Sequence, residues 1–509
     1  GVLMKRSAGI LCPIFSLPSP YGIGTLGQAA RNFIDFLEQT KQSYWQILPI
    51  GPTSYGDSPY QSFSSYAGNP YFIDLDTLKD QGLLLQEEYD SLDWGNDPQR
   101  IEYAKLFNHR FEVLKKAVTR LDDPAFDVFC QAEAAWLDDY ALFMTIKELH
   151  AGQSFLTWPA KLRNREPQAL EQIQKEHTSA IRTWKGIQYF FFQQYATMKA
   201  YANLHHVQII GDIPIYVAMD SVDVWSHPEQ FLLNETGKPD FVAGCPPDAF
   251  SEDGQLWGNP LFDWERMKKD GYQWWIDRIA HQMRFVDVLR IDHFRGFAGY
   301  YAIPAKDQTA RNGHWEKGPG IGLFDAIHDV LGNLNIIAED LGFLTPDVYE
   351  LVQQVGYPGM KILQFAFDDR DTGNGYYPHS YTRHCVVYPG THDNDTVLGW
   401  MHSASYENVQ QAIDYLHLDE KEGYNWGMIR GCFGSVADWA IIPMADILGL
   451  DNQGRINVPS TLGNNWVWRF EEKELNESII KKLKKMTNLY GRNRKWKEES
   501  HVDSEFKTY

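Results

Sequence analysis

The sequence predicts an α/β protein built on a (β/α)8 barrel of the TIM type, with a large helical insertion between strands 2 and 3 and long loops at the strand ends. Three observations carry this expectation. Short apolar, β-branched or aromatic runs alternate with longer helical patterns, which is the mark of βα units. There are eight such runs, the count that a closed parallel barrel requires. The 509 residues accommodate one barrel of roughly 250 residues with insertions of similar total size, where an average of roughly 150 residues per domain would suggest three domains. An open doubly wound sheet satisfies the same periodicity.

The elements follow in chain order. Thr25 with Gln28 reads as a capping box opening a helix whose apolar face holds Ala30, Phe33, Ile34 and Leu37. The eight core runs are Tyr44–Leu48, Tyr71–Leu75, Val207–Asp212, Val286–Asp292, Ile336–Glu339, Met360–Phe365, Cys385–Tyr388 and Trp439–Ile442. Between the second and third lies a long stretch of helical pattern. One face there carries Ala104, Phe107, Phe111, Leu114 and Val118, and a later segment carries Trp136, Tyr140 and Phe143. The barrel is therefore assigned to residues 1–76 and 202–509, a helical insertion subdomain to 77–201, and a long excursion carrying an active-site loop to 213–285. Within that excursion, Gly244–Asp248 reads as an ordered loop, and Trp257, flanked by Gly254, Gly258 and Pro260, as an exposed loop tryptophan. Trp275 reads as core, on one helical face with Ile279 and Met283. The charged tail beyond about Lys481 is expected to fray at its end.

Composition narrows the function classes. Hydrophobic residues at 43% and charged residues at 22% suit a large buried core. With 47 Lys and Arg against 67 Asp and Glu, the net charge is −20, and the pI is about 5.2. Such a surface repels phosphate backbones, so no nucleic-acid partner is expected. No apolar stretch is long enough for a membrane span. The first ten residues lack the features of a signal peptide, and Gly1-Val2-Leu3 ahead of Met4 reads as a remnant of processing or expression. Five scattered cysteines without a CxxC pair suggest reduced thiols in a cytoplasmic protein, with the plastid stroma the counterpart in a plant or alga. Neither a metal-ligand set nor a phosphate-binding or GxSxG motif is present, so no metal and no cofactor are expected. Aromatic residues reach 14%, enough to fill a core and also to line a cleft that stacks flat ligand faces.

The acids fall where barrel enzymes place their chemistry. Asp212 ends the third run, Asp292 the fourth and Glu339 the fifth, while Asp393 follows the seventh; in a parallel barrel these share the C-terminal rim. Arg290 and Asp292, two apart on one strand, point to the same side. A carboxylate beside a guanidinium stays ionised, as a nucleophile or electrostatic stabiliser must. A glutamate crowded by anions and apolar walls holds its proton, as a general acid must. One of each across a glycosidic bond is the minimum apparatus for glycoside cleavage. Tyr60 and Trp257 would stack on sugar faces, while Asn, Gln, Asp and His take the hydroxyls.

Over nearly its whole length, from Pro18-Ser19-Pro20-Tyr21-Gly22-Ile23-Gly24 to Asn464-Asn465-Trp466, the sequence resembles the 4-alpha-glucanotransferases (amylomaltases, or disproportionating enzymes) of the alpha-amylase clan. The resemblance implies roles residue by residue. In Arg290-Ile291-Asp292-His293-Phe294, Asp292 looks like the nucleophile, with Arg290 holding it ionised and His293 near the bound sugar. In Ile337-Ala338-Glu339-Asp340, Glu339 looks like the general acid/base. In Thr391-His392-Asp393-Asn394, Asp393 looks like the carboxylate that grips the distorted sugar, with His392 assisting. Asp212, Tyr60, Asp248, Gln255 and Trp257 look like further substrate-binding residues, the last three on an acceptor-side loop. Cys245 departs from the family pattern, where a small aliphatic residue is expected. The implied reaction moves α-1,4-glucan segments from a donor to an acceptor glucan with retention, through a covalent glycosyl-enzyme. An amylase-like hydrolase and a non-catalytic glucan-binding protein are the alternatives. The residues do not specify chain-length preference, size of the transferred unit, cyclic or linear products, or oligomeric state.

Overall fold

The computed structural model describes residues 4–342, 344–370 and 374–493; the reading of the three residues ahead of Met4 and of the tail's last residues lies outside the described residues. Twelve strands occur among those described: β1 (Ser7–Leu11), β2 (Tyr44–Gln46), β3 (Gln208–Ile213), β4 (Phe241–Cys245), β5 (Gln255–Pro260), β6 (Val288–Ile291), β7 (Gly299–Pro304), β8 (His314–Lys317), β9 (Ile336–Ala338), β10 (Gly359–Ile362), β11 (Cys385–Tyr388) and β12 (Trp439–Pro443). Eight form one parallel sheet in the order β10-β11-β12-β1-β2-β3-β6-β9. Its two ends meet where Ala338 N donates to Pro358 O at 2.9 Å, so the sheet closes nearly into a barrel. The (β/α)8 expectation therefore holds, and the open doubly wound alternative does not.

One expected strand is absent and one unexpected strand takes its place, so the count of eight is unchanged. Tyr71–Leu75 is not a strand. Asn69 accepts from Tyr71 N at 3.0 Å and starts a short turn, and Asp74 then caps the helix Leu75–Asp80 by accepting from Thr77 N at 3.0 Å. Local caps outcompete the apolar pattern there. The strand in its place is Ser7–Leu11, whose Ser, Ala and Gly give little β signal. Gly9 is needed in it, since a Cβ there would lie 2.6 Å from Tyr44 O on the neighbouring strand. Thr25 does not cap the first helix, Gln28–Gln39, which starts from Gly27 without a side-chain cap; the Thr25 hydroxyl instead donates to Asp74 at 2.8 Å. The expected face of that helix is buried as read.

Between β2 and β3 the chain folds into helices, the longest being Tyr103–Thr119, Ala134–Leu149 and Thr178–Leu204. The buried face of Tyr103–Thr119 is Leu106, Arg110, Val113, Leu114, Ala117 and Val118. Phe107, expected in the core, is instead 69% exposed. Arg110 draws the helix round by donating to the carbonyls of Tyr21 and Ile73 at 3.0 and 2.8 Å.

The chain between β3 and β6 contributes β4 and β5 to a second, antiparallel sheet in the order β5-β4-β7-β8. Gly244 and Cys245 thus end a strand and Trp257 lies within one, where loops were expected; Cys245 pairs with Gln255, and Trp257 is half-buried. Trp275 is fully buried. The tail past Lys481 continues helically to Leu489. Arg492 then anchors it beneath the barrel, donating to the carbonyls of Ser7, Phe433 and Ala437 among others. All five cysteines are free. No helix among the described residues is long and apolar enough to cross a membrane.

Candidate active site

The register of the barrel builds the site. Asp212 lies opposite Arg290 on adjacent strands, and Ile291 lies opposite Ala338. Asp292 and Glu339, each one residue further, therefore sit level at the C-terminal rim on neighbouring strands, spaced by roughly 4.8 Å of sheet. Arg290 sits beneath them, almost wholly buried. Its Nη1 donates to both oxygens of Asp212 at 2.8 and 2.9 Å, and its Nη2 to Asp292 Oδ1 at 3.1 Å. The same Nη2 lies 4.0 Å from Glu339 Oε1. The Asp292 and Glu339 oxygens that share it are consequently no more than about 7 Å apart, which admits the spacing of roughly 5 Å used by retaining glycosidases. Removing the guanidinium would leave two carboxylates without their countercharge.

Electrostatics separate the two acids. Burial pushes Asp292 up to about 6, against the pull of Arg290. Glu339 is pushed up further, to about 8, first by burial and then by the negative charge of Asp292. The side chain of Glu339 is the more enclosed, 17% exposed against 28%. Leu341 N donates to Glu339 Oε2 at 3.0 Å and fixes its orientation. The pair titrates as a unit, and between its two steps it carries one charge and one proton. Arg290 favours the ionised form of Asp292 as expected, but desolvation is the larger influence and raises the carboxyl in spite of it.

Asp393 is held differently. Burial disfavours its charge, but the adjacent His392 and a hydrogen bond from Asn457 Nδ2 at 2.8 Å outweigh that and hold it down at about 2. His392 Nε2 lies 3.3 Å from Asp393 Oδ2, and this carboxylate raises the proton affinity of the imidazole in spite of burial. Tyr60 donates its hydroxyl to Asp212 Oδ2 and stacks on His392, ring centroids 5.1 Å apart and 14° from parallel. Burial and the nearby carboxylates keep that hydroxyl protonated.

The structure therefore brings Tyr60, Asp212, Arg290, Asp292, Glu339, His392 and Asp393 into one constellation. His293, next to Asp292, adopts a left-handed backbone (φ 53°) and meets the Trp257 indole edge-to-face at 4.7 Å. Trp257 Nε1 in turn donates to Gln255 Oε1 at 3.2 Å. Asp248 stands apart: it is exposed, and its Oδ1 accepts from Phe250 N and Ser251 N, both at 2.8 Å, so it holds a turn. That turn presents Phe250 to the segment just past β10, on the same C-terminal rim, 6.4 Å from the Phe365 ring, with the Arg370 guanidinium 4.6 Å from the Phe250 ring. Sequence reasoning missed Phe250, Asn457 and Trp466, the last lying 5.8 Å from Tyr60 and 6.0 Å from His392. Asn457 offers no sequence signal, being 64 positions from its partner.

Known proteins resemble this chain closely. The family model described as 4-alpha-glucanotransferase matches residues 12–475. A 4-alpha-glucanotransferase of Clostridium butyricum is 49% identical over 484 residues, 94% of this chain and 99% of that one. A chloroplastic/amyloplastic 4-alpha-glucanotransferase of Solanum tuberosum is 41% identical over 96% of this chain and 87% of its own length. Among solved structures, the amylomaltase from Streptococcus agalactiae in complex with acarbose aligns with a TM-score of 0.94 at 41% identity, covering 96% of this chain and 100% of that one.

Proposed function

As this chain belongs to the 4-alpha-glucanotransferase family and is a glycosyl-transferring enzyme of the retaining kind, we propose that Asp292 is its nucleophile and Glu339 its general acid/base. What carries this reading is the level pair of carboxyls over one guanidinium, the more enclosed of the two holding its proton more tightly. Asp292 attacks the anomeric carbon while Glu339 protonates the leaving glycosidic oxygen, giving a covalent glycosyl-enzyme. Glu339, now anionic, removes the proton from the 4-hydroxyl of an acceptor α-glucan, which takes the glycosyl group. Asp393, fully ionised, binds hydroxyls of the distorted sugar, with His392 beside it. Tyr60 closes that sugar's pocket, and Asp212 orients both Tyr60 and Arg290. Trp257, Gln255 and His293 form the acceptor wall. This reading places the enzyme in the cytoplasm, or the plastid stroma in a plant or alga, where its free thiols stay reduced.

Incubation with maltotriose tests the reaction. Transfer yields glucose and longer chains with reducing ends constant. A rise in reducing ends would mark a hydrolase, and binding without turnover a glucan-binding protein. The pH dependence tests the roles. kcat/KM should rise through about 6 as Asp292 loses its proton and fall through about 8 as Glu339 loses its own. A profile flat from 5 to 9 would contradict the pairing.

Water competes with the acceptor for the intermediate, and the turn held by Asp248 carries Phe250 at its tip, packed near Phe365 just past the C-terminal end of β10. Phe250→Ala should raise the ratio of hydrolysis to transfer, read from reducing ends against total glucose released. An unchanged ratio would remove this turn from the role of water barrier.

A further inference from the structure

An indole outside the constellation above remains unexplained. Trp315 lies on β8, the edge strand of the second sheet, all four of whose residues are exposed. It is 46% exposed, although an apolar ring on a sheet edge is ordinarily covered or replaced by charge. Its inner face is occupied: the Arg295 guanidinium lies 4.3 Å from the ring centroid, and Tyr301, its cross-strand partner, packs at 5.3 Å. Arg295 follows Asp292 by three residues. Burial lowers its proton affinity, while Cys245, Asp347 and Glu339 raise it, so the guanidinium stands within the field of the acid/base. Trp315 is thus tied to the rim on two sides, through Arg295 and through Tyr301, which pairs with Gly244 at the end of β4.

Building on the reading given above, we propose that Trp315 is an outer acceptor subsite, a stacking platform for a glucose ring of an α-glucan acceptor chain that has passed Glu339 and Arg295. A sugar ring offers an apolar face to an indole and hydroxyls to the groups around it. Lys317, two residues on and thus on the same face of β8, supplies a donor beside the ring. A protein partner is the poorer fit. The other large exposed apolar residues of this sheet are Leu256, on its far edge strand, and Phe241, out of phase with Trp315 in the strand register.

Acceptor chain length tests the proposal. With α-glucosyl fluoride as donor, Trp315→Ala should raise the acceptor KM for maltoheptaose about three- to tenfold, the cost of one lost stacking contact. The KM for glucose as acceptor and the thermal midpoint should not move. Trp315→Tyr, which keeps a flat ring, should restore most of the maltoheptaose KM. An equal rise for glucose and maltoheptaose would show that the indole merely props Arg295, and no change with either would show that no sugar reaches it. Both outcomes would overturn the subsite. A wild-type enzyme that transferred to neither acceptor would instead overturn the reading of the carboxylate pair.

Discussion

Asp292→Asn is expected to reduce transfer from maltotriose by on the order of 10^4-fold or more while leaving glucan binding measurable by calorimetry. The size follows from what is removed. An amide has no charge to attack the anomeric carbon, so the covalent path closes altogether. The fold should tolerate the change. Asn keeps an oxygen for the Arg290 bond now made at 3.1 Å, and Asp212 still pairs with the guanidinium through both oxygens. A second readout comes with it. The charge of Asp292 is, after burial, the main reason Glu339 holds its proton so tightly. In the variant the Glu339 titration should therefore move below about 8, as carboxyl resonances followed against pH would show. Near-normal turnover, or a Glu339 titration that stays in place, would contradict the coupling between the two acids.

The parts of this site that were legible in the sequence are those controlled by strand alternation. Asp212, Arg290, Asp292 and Glu339 lie on or one residue past β3, β6 and β9, where a period of two decides which side chains face inward. Reading apolar runs therefore placed them on one rim before any contact was known. The same logic failed where local hydrogen bonds compete with pattern. Asn69 and Asp74 turned an apolar run into capped turns, and the small residues of Ser7–Leu11 hid a strand that only the whole ring demands. In the sequence, Gly254, Gly258 and Pro260 mark Trp257 as a loop residue. Yet β4 pairs on both sides, with β5 and β7, and so carries the tryptophan's segment into a sheet that one stretch of sequence cannot announce. Asn457 and Phe250 are long-range partners whose roles exist only once β12 and the second sheet have delivered their loops to the rim. The carboxyl pair proposed as nucleophile and acid/base belongs to the local part of the code, and the walls proposed to sort donors from acceptors belong to the non-local part.

Glu339→Gln should produce a loss that depends on the leaving group, and this dependence separates a proton donor from a residue that only shapes the pocket. With maltotriose the first step needs a proton on the departing oxygen, so transfer should fall by on the order of 10^2- to 10^4-fold. With α-glucosyl fluoride the leaving group departs as fluoride without that proton, so formation of the glycosyl-enzyme should fall far less. The second step still lacks its base, and the intermediate should accumulate. Azide, which attacks without losing a proton, should then release it as the glycosyl azide and restore turnover. The amide oxygen can keep the 3.0 Å bond from Leu341 N, so the side chain's position should persist. The alkaline fall in kcat/KM near 8 should vanish with the carboxyl that causes it. Equal losses on both donors, with no response to azide, would mean that Glu339 acts through packing and that the proton reaches the glycosidic oxygen from elsewhere. In that event Asp393 is a poor substitute, because His392 and Asn457 hold its carboxyl ionised down to about 2 and leave it no proton to give.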